Sequence, residues 1–417
     1  MRRRSLALPA RGPVIGSLAS AAYGQIALVL TGVVSARALG PSDRGYLALL
    51  VLIPAVLQGI GTLGLPRAVT YFIASNPAQE ASILRVIRVP VVVQAVALTA
   101  LQVVILSVIV AVEPPHVRWA AVAVLPLLAA NLADAYGKAI LQGQQRYFAF
   151  NVLRNAGTTF YLVGLLVLLI TDEIGLIEFT IAYVVGMVLA GAVTLAAALA
   201  GRVPPSEPTE VSQSMLVRFG LKGYVASLSP IATFRLDQVV VGLLLSPVAL
   251  GLYVVGLAFT NLPGFIARSI GFIAYPKVAG TAHGQDTEMR RFFWFSIALS
   301  GTAVLVLELT AGWLVPLFFG SEFDSAVTLA RILLVSAFFD GARQILFDTS
   351  SGSGRPGLGS IAELTSWLVI IPAVAILLPL WGATGVATAT ALAAGASFLA
   401  LALLVRRSNG ELPAPSE

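Results

Sequence analysis

Charges are scarce in this sequence, and several of them stand where charge is expensive. Arg235 and Asp237 lie inside the apolar run Thr233-Phe-Arg-Leu-Asp-Gln-Val-Val-Val-Gly-Leu-Leu-Leu, which ends at the turn Ser246-Pro247. Asp237 precedes Pro247 by ten residues, about 15 Å along a helix and close to the centre of a bilayer. A carboxylate at such depth suits proton or Na+ coupling, and a guanidinium suits an anionic head group. Residues two apart on a helix do not face each other, so Arg235 and Asp237 are expected to serve different sides. Ser229, Thr233 and Asp237 would then share one face at i, i+4, i+8. Arg268 follows Pro263-Gly264, a pair that predicts a helix bend. It is a second candidate for an anionic ligand, or else the partner of Glu308 or Asp237. Glu308 is a second candidate coupling carboxylate. Thr31 belongs to a stripe of Ser17, Ser20, Gly24, Thr31 and Ser35, which either packs tightly against a neighbour or forms a wet cavity wall. Thr31 and Thr233 are the hydroxyl candidates for substrate contact.

Other charges read as structural. Asp134 and Arg154 flank the turn at Gly143, and Arg343 and Glu363 flank the turn at Gly352, each about ten residues away. Each pair should stand level across a helical hairpin, so each is expected to form an ion pair that locks it. Many other chemistries are excluded. There is no cysteine, hence no disulfide and no thiolate nucleophile or metal ligand. The two histidines, His116 and His283, fall in polar loop sequence. No phosphate-cradling glycine loop, HExxH helix or catalytic triad is present, so neither catalysis nor a cofactor is expected. Gly61 and Gly64 fall inside an apolar span, where helix packing accounts for them.

The elements that carry these residues are membrane spans. Of 417 residues, 58% are hydrophobic and 11% charged, and the mean hydropathy is +0.90; soluble domains carry roughly 25% charge. Twelve spans are expected, at roughly 14–36, 46–73, 86–111, 117–140, 148–170, 176–199, 217–244, 249–277, 291–317, 326–348, 357–380 and 383–405. The first is read as an uncleaved helix, because its apolar run is too long for a secretory signal. With both termini cytoplasmic, the inside segments hold Arg2, Arg85, Arg146, Lys277, Arg290, Arg355 and Arg406 among others. The outside loops hold Arg37, Arg44 and Arg118 and most of the acidic loop residues. This is the positive-inside pattern. It also explains the net charge of +6 and the pI near 9.8 without nucleic acid.

The Pro-rich stretch Val203-Pro-Pro-Ser-Glu-Pro reads as a linker. The expected organisation is a six-helix lobe over 1–200, a cytoplasmic linker over 201–216, a second six-helix lobe over 217–406 and a tail over 407–417. The halves echo each other. Gly40-Pro41…Gly45-Tyr46 aligns with Ser246-Pro247…Gly251-Leu-Tyr253, Pro66-Arg67 with Pro276-Lys277, and Gly143…Arg146 with Gly352…Arg355. The offsets (246 − 40 = 206, 276 − 66 = 210, 352 − 143 = 209) are nearly constant. Six is an even number, so the halves keep one orientation, as in parallel-repeat transporters with a midplane site.

The motif Arg37-Ala-Leu-Gly-Pro-Ser-Asp-Arg-Gly-Tyr46 resembles the start of span 2 in polysaccharide-biosynthesis membrane proteins. These are the O-antigen-type lipid-linked oligosaccharide flippases of the multidrug/oligosaccharidyl-lipid/polysaccharide (MOP) exporter superfamily. Leu236-Asp237 with Gly242, Leu245-Ser246 and Gly251-Leu-Tyr253 resembles the family's seventh span. Gln142-Gly-Gln-Gln-Arg146 and Gly352-Ser-Gly-Arg355-Pro resemble its cytoplasmic turns. The resemblance implies an all-α membrane protein of about twelve transmembrane helices in two pseudo-symmetric six-helix lobes. It implies alternating access, a cavity lined by spans 1, 2, 7 and 8, and a bacterial plasma-membrane location. It further implies a substrate carried on undecaprenyl pyrophosphate, whose anionic head group Arg235 and Arg268 would suit. Tyr253-Val-Val-Gly-Leu-Ala258 lacks the early span-8 arginine of the lipid II flippase branch, and that branch usually has fourteen spans. A cation-coupled drug or metabolite exporter of the same superfamily and a non-transporting membrane scaffold are the alternatives.

Overall fold

The computed structural model describes residues 11–200, 211–225, 229–280, 285–353 and 357–410. Among these, the long regular elements are α-helices: α1 (Arg11–Gly61), α2 (Leu65–Ser75), α3 (Glu80–Ile109), α4 (Pro115–Ala123), α5 (Leu127–Gly143), α6 (Tyr147–Leu153), α7 (Ala156–Thr171), α8 (Leu176–Ala200), α9 (Gln213–Val225), α10 (Leu236–Leu244), α11 (Pro247–Ala258), α12 (Asn261–Ala279), α13 (Gln285–Phe319), α14 (Ala326–Gly352) and α15 (Gly357–Gly410). Apolar sequence in lipid has this outcome because a helix satisfies its own backbone groups. At 1.5 Å per residue, the 51 residues of α1 and the 54 of α15 are each more than twice as long as the hydrocarbon layer is thick, about 30 Å. Each therefore contains two spans. The turn falls at Gly40 (φ 68°) in α1 and at Gly382 (φ 56°) in α15. With those divisions, each of the twelve expected spans is occupied by helix, five of them by two successive helices. The protein is an all-α multi-pass membrane protein.

The chain forms two compact units. Among the described residues, the first holds 11–39 and 50–225, and the second holds 40–49 and 229–410. Buried residues of α2, α3 and α5, including Val69, Ile73, Ile83, Leu132 and Tyr136, build a core in the first unit. Helix α9 joins that core through Leu216, stacks Phe219 on Tyr71 with ring centroids 4.4 Å apart, and donates the Tyr224 hydroxyl to the carbonyls of Gly59 (2.8 Å) and Ile60 (3.0 Å). The boundary thus lies after α9, past residue 225, and not at 217 as expected. In the second unit α10 packs Leu236 and Val240 against Ile370, Val374, Ala389 and Ala393 of α15, and Ile270 and Ala274 of α12 meet Ile345 of α14.

Span 7 is not a continuous helix. It breaks between Val225 and Leu236, and 230–234 form turns. The cause is Ser229-Pro230. Proline lacks the helical N–H donor and disfavours helical geometry in the residue before it. The Ser229 hydroxyl instead accepts the Ala232 N–H at 3.3 Å, and Thr233 Oγ1 accepts the Ser229 N–H at 3.4 Å. Such side-chain bonds offer the backbone an alternative to the helix. Ser229, Thr233 and Asp237 therefore do not form the expected helical face.

The two turns paired by the repeat meet each other within the second unit. A Cβ on Gly45 would stand 1.7 Å from the Pro247 carbonyl oxygen, and one on Gly251 would stand 2.1 Å from that of Pro41. The reciprocal approach leaves no space for a side chain at either position.

The two hairpin ion pairs have different outcomes. Arg343 bonds Glu363 at 2.7 Å, joining α14 to α15, and also Asp340 at 2.8 Å. Asp134 does not pair with Arg154. It takes a short ion pair from Lys138 in its own helix and a 3.1 Å hydrogen bond from the Thr194 hydroxyl. The physical reason is local: Lys138 sits one turn on, at i+4, whereas Arg154 lies at the break between α6 and α7 with an exposed side chain. Only the carbonyl of Arg154 takes part, accepting from Lys138 Nζ at 3.2 Å.

Two outcomes follow for stability in detergent. Asp134→Lys loses melting temperature, and the exchange Asp134→Lys/Lys138→Asp recovers most of it; Asp134→Arg/Arg154→Asp recovers nothing. Gly45→Ala and Gly251→Ala each lose ~1–3 kcal/mol from overpacking. Gly32→Ala, where nothing lies within 4 Å of a new Cβ, is neutral or slightly stabilising. Equal losses at Gly32 and Gly45 would contradict the close approach of the two turns.

Candidate functional site

The break in span 7 sets up the site. It makes Arg235 the N-cap of α10, in the left-handed region at φ 45°, and puts Asp237 in the helix's first turn. The carboxylate therefore stands at a helix N-terminus, with the backbone N–H groups of Asp237 and Gln238 beside it, where the dipole favours negative charge. Asp237 is 1% exposed. Its Oδ2 accepts the Tyr253 hydroxyl of α11 at 3.0 Å, and its buried Oδ1 has no hydrogen-bond partner. Tyr253 is fully buried, and its hydroxyl is also paired with Thr390 of α15. The Thr390 hydroxyl continues to the Val386 carbonyl at 2.9 Å. A buried polar chain thus crosses spans 7, 8 and 12, with a carboxylate at one end.

Arg235 is exposed, and its charge acts on the Asp237 carboxylate. Arg235 is the left-handed N-cap and not part of the continuous helix from which different faces were expected. Thr233 lies in the turns before α10, half-buried. Arg268 is on α12 and exposed, with its guanidinium folded along its own helix over Gly264. It pairs with neither Asp237 nor Glu308. The bend expected near Arg268 is 43°, between Pro247–Ala258 and Asn261–Tyr275. It falls one turn before Pro263 because that residue has no N–H for the carbonyl four positions back.

Glu308 does not join Asp237. Its charged neighbour is Arg331 of α14. Thr31 lies in the first unit, buried, with its hydroxyl donated to Leu28 O of its own helix at 3.0 Å. Ser35 does the same to Gly32 O. Lower on the stripe, Asn155 donates to the Ser20 carbonyl and the Ser20 hydroxyl to Asn151 O. The described hydroxyls of the stripe, Ser20, Thr31 and Ser35, are thus each donated to a backbone carbonyl. The side chain of Ser17 lies outside the described residues. Among the described residues, no group of three or more Asp, Glu or His side chains could hold a metal.

Sequence reasoning missed Tyr253 and Thr390 as partners of Asp237. Tyr253 was visible only as part of a turn motif, and Thr390 sits 153 positions beyond Asp237 (390 − 237) in an Ala-rich span with no local sign of its role.

Comparison with known proteins gives a consistent picture. The fold resembles that of the lipid II flippase MurJ in an inward closed conformation, with a TM-score of 0.76, 15% identity, and 94% of this chain and 87% of that one covered. It also resembles an inward-facing MATE-family multidrug resistance transporter of the MOP superfamily, with a TM-score of 0.69, 16% identity, and 95% and 98% covered. The MATE transporter VcmN of Vibrio cholerae aligns with a TM-score of 0.60 at 14% identity over 95% and 97%. No curated protein sequence matches the chain. At these identities the likeness establishes the fold: that of MOP-superfamily exporters. The model of the family described as polysaccharide biosynthesis protein matches residues 34–328, well over half of the sequence, and the chain belongs to that family.

Proposed function

We propose that this protein is a flippase that carries a lipid-linked oligosaccharide across the bacterial plasma membrane for cell-surface polysaccharide synthesis. The family match over 34–328 carries this reading, and the exporter fold supports it. Under alternating access, the glycan head crosses within the protein while the lipid tail stays in the bilayer. No bond is made or broken, so the protein acts as a transporter and not as an enzyme. The termini are cytoplasmic, and the carrier lipid is undecaprenyl pyrophosphate. Arg235 and Arg268 are exposed, so either guanidinium is available to a pyrophosphate through charge-assisted hydrogen bonds. Thr233 is a secondary contact.

Asp237 is the group proposed to couple transport to H+ or Na+. It is buried, has one free carboxylate oxygen, and is wired through Tyr253 to Thr390. A cation on Asp237 would change the Tyr253 hydrogen bond and with it the contact between α10 and α11. The buried carboxylate equally suits a cation-coupled exporter of small amphipathic molecules, which is the second reading. Glu308, flanked by Arg331, is not retained as a coupling group.

Proteoliposomes with a fluorescent undecaprenyl-pyrophosphate oligosaccharide separate the roles. Arg235→Ala and Arg268→Ala each lower the flipping rate about tenfold, ~1.4 kcal/mol, with partial retention in the Lys variants. Tyr253→Phe and Asp237→Asn retain glycan-lipid binding but lose the response of rate to an imposed H+ or Na+ gradient. Full gradient response in Asp237→Asn contradicts the coupling role, and full rates in Arg235→Ala/Arg268→Ala contradict the pyrophosphate contacts.

A further inference from the structure

Helices α13 and α14 enclose an open groove of about 590 Å³, lined by Gly301, Val304, Leu305 and Glu308 on one side and Arg331, Ile332, Val335 and Phe338 on the other. It lies on a membrane-facing surface. Little of the apolar length of α13 is buried, and Leu305, Leu309, Trp313 and Val335 are exposed, a composition that suits lipid and not water. The groove has two unlike ends. At one end the guanidinium of Arg331 lies 3.7 Å from where Gly312 would carry a Cβ, beside Glu308 one turn away. At the other, the Phe338 ring lies 3.3 Å from where Gly301 would carry a Cβ. From Gly301 to Gly312 is eleven residues, about 16 Å of helix. Arg331 is five residues into α14, so the charged end is about 7 Å from the hairpin turn and the apolar end points into the bilayer.

Two charges here need an explanation. Glu308 Oε1 is buried and no hydrogen-bond donor reaches it. Arg331 is exposed, and no ion pair with Glu308 forms among the described residues. An ionised side chain on a lipid-facing helix is costly, by ~2.5 kcal/mol or more, and snorkelling accounts for Arg331 alone. It leaves the carboxylate oxygen without a donor.

We propose that this groove binds one phospholipid whose head group carries a primary ammonium, of the phosphatidylethanolamine type. The phosphate meets the Arg331 guanidinium, the ammonium pairs with the Glu308 carboxylate that lines the groove, and the upper acyl chain runs along Leu305 and Val335 to Phe338. The complementarity selects among lipids. A cation and a carboxylate side by side match a zwitterion. A choline head group has no N–H for Glu308. A glycerol head group offers hydroxyls but brings one net negative charge to a site whose own charges cancel. The inference is independent of what the protein transports.

Full-length protein stripped of lipid is titrated with phosphatidylethanolamine and with its mono-, di- and trimethylated head-group derivatives, read by native mass spectrometry and melting temperature. Binding of one molecule is expected, with affinity falling stepwise and at least tenfold by the trimethylated form, and phosphatidylglycerol should bind no better than that form. Glu308→Gln should flatten the methylation series, and Arg331→Ala should weaken all members about equally. Uniform binding across the series by the wild-type protein overturns the proposal, whether or not the variants fold. So does a full methylation dependence in Glu308→Gln.

Discussion

No water reaches the hydrocarbon core of a bilayer, so each backbone N–H and C=O within a span needs a partner supplied by the protein. The fold depends on how that constraint is met where helices break. In span 2, α1 stops at Gly61 and α2 starts at Leu65. The freed Gly61 carbonyl takes the Gln94 amide, Gln94 Oε1 takes the Tyr136 hydroxyl at 2.6 Å, and Tyr224 covers Gly59 and Ile60. In span 4, broken before Pro126, the fully buried Gln102 donates to the Val124 carbonyl at 3.1 Å. These amides and phenols are scattered through apolar sequence because each answers one interrupted backbone. Interhelical bonds of this kind contribute ~0.6–2 kcal/mol each.

The same constraint accounts for the site. A proline in mid-span opens span 7, and the first turn of α10 is left with unsatisfied N–H groups. A carboxylate placed there is partly compensated by those groups, and Tyr253 supplies the remaining donor. The costly charge and the costly break thus offset each other. Together they leave one carboxylate oxygen uncommitted next to a helix end that an altered charge would affect.

Much of this was legible in the sequence. The span positions followed from apolar runs long enough to cross. The repeat offsets brought Gly45 and Gly251 into register, and the two glycines do meet. Arg343 and Glu363 were readable because a guanidinium has donors enough for two carboxylates: Arg343 bonds Asp340 in its own helix and still reaches Glu363 across the hairpin. Asp134 was misread because Lys138 at i+4 is closer than any partner across a turn. The break in span 7 was legible in Ser229-Pro230 but was overridden by the apolar run around it. The Asp237–Tyr253–Thr390 chain was not legible as a whole. Its members come from three spans whose meeting depends on how helices pack, and helix packing leaves little trace in an Ala- and Val-rich pattern. Glu308 and Arg331 show the same limit: sequence marks a charge as expensive without saying whether it faces a cavity, a neighbour or lipid.

The central claim is that the cargo is a lipid-linked glycan. The most direct measurement places wild-type protein in liposomes that hold both a fluorescent lipid-linked oligosaccharide and an entrapped cationic dye, and follows both in the same vesicles. The account predicts protein-dependent movement of the glycan-lipid between leaflets with no dye efflux beyond that of empty liposomes. Dye efflux driven by an ion gradient, with the glycan-lipid left in its original leaflet, would contradict it.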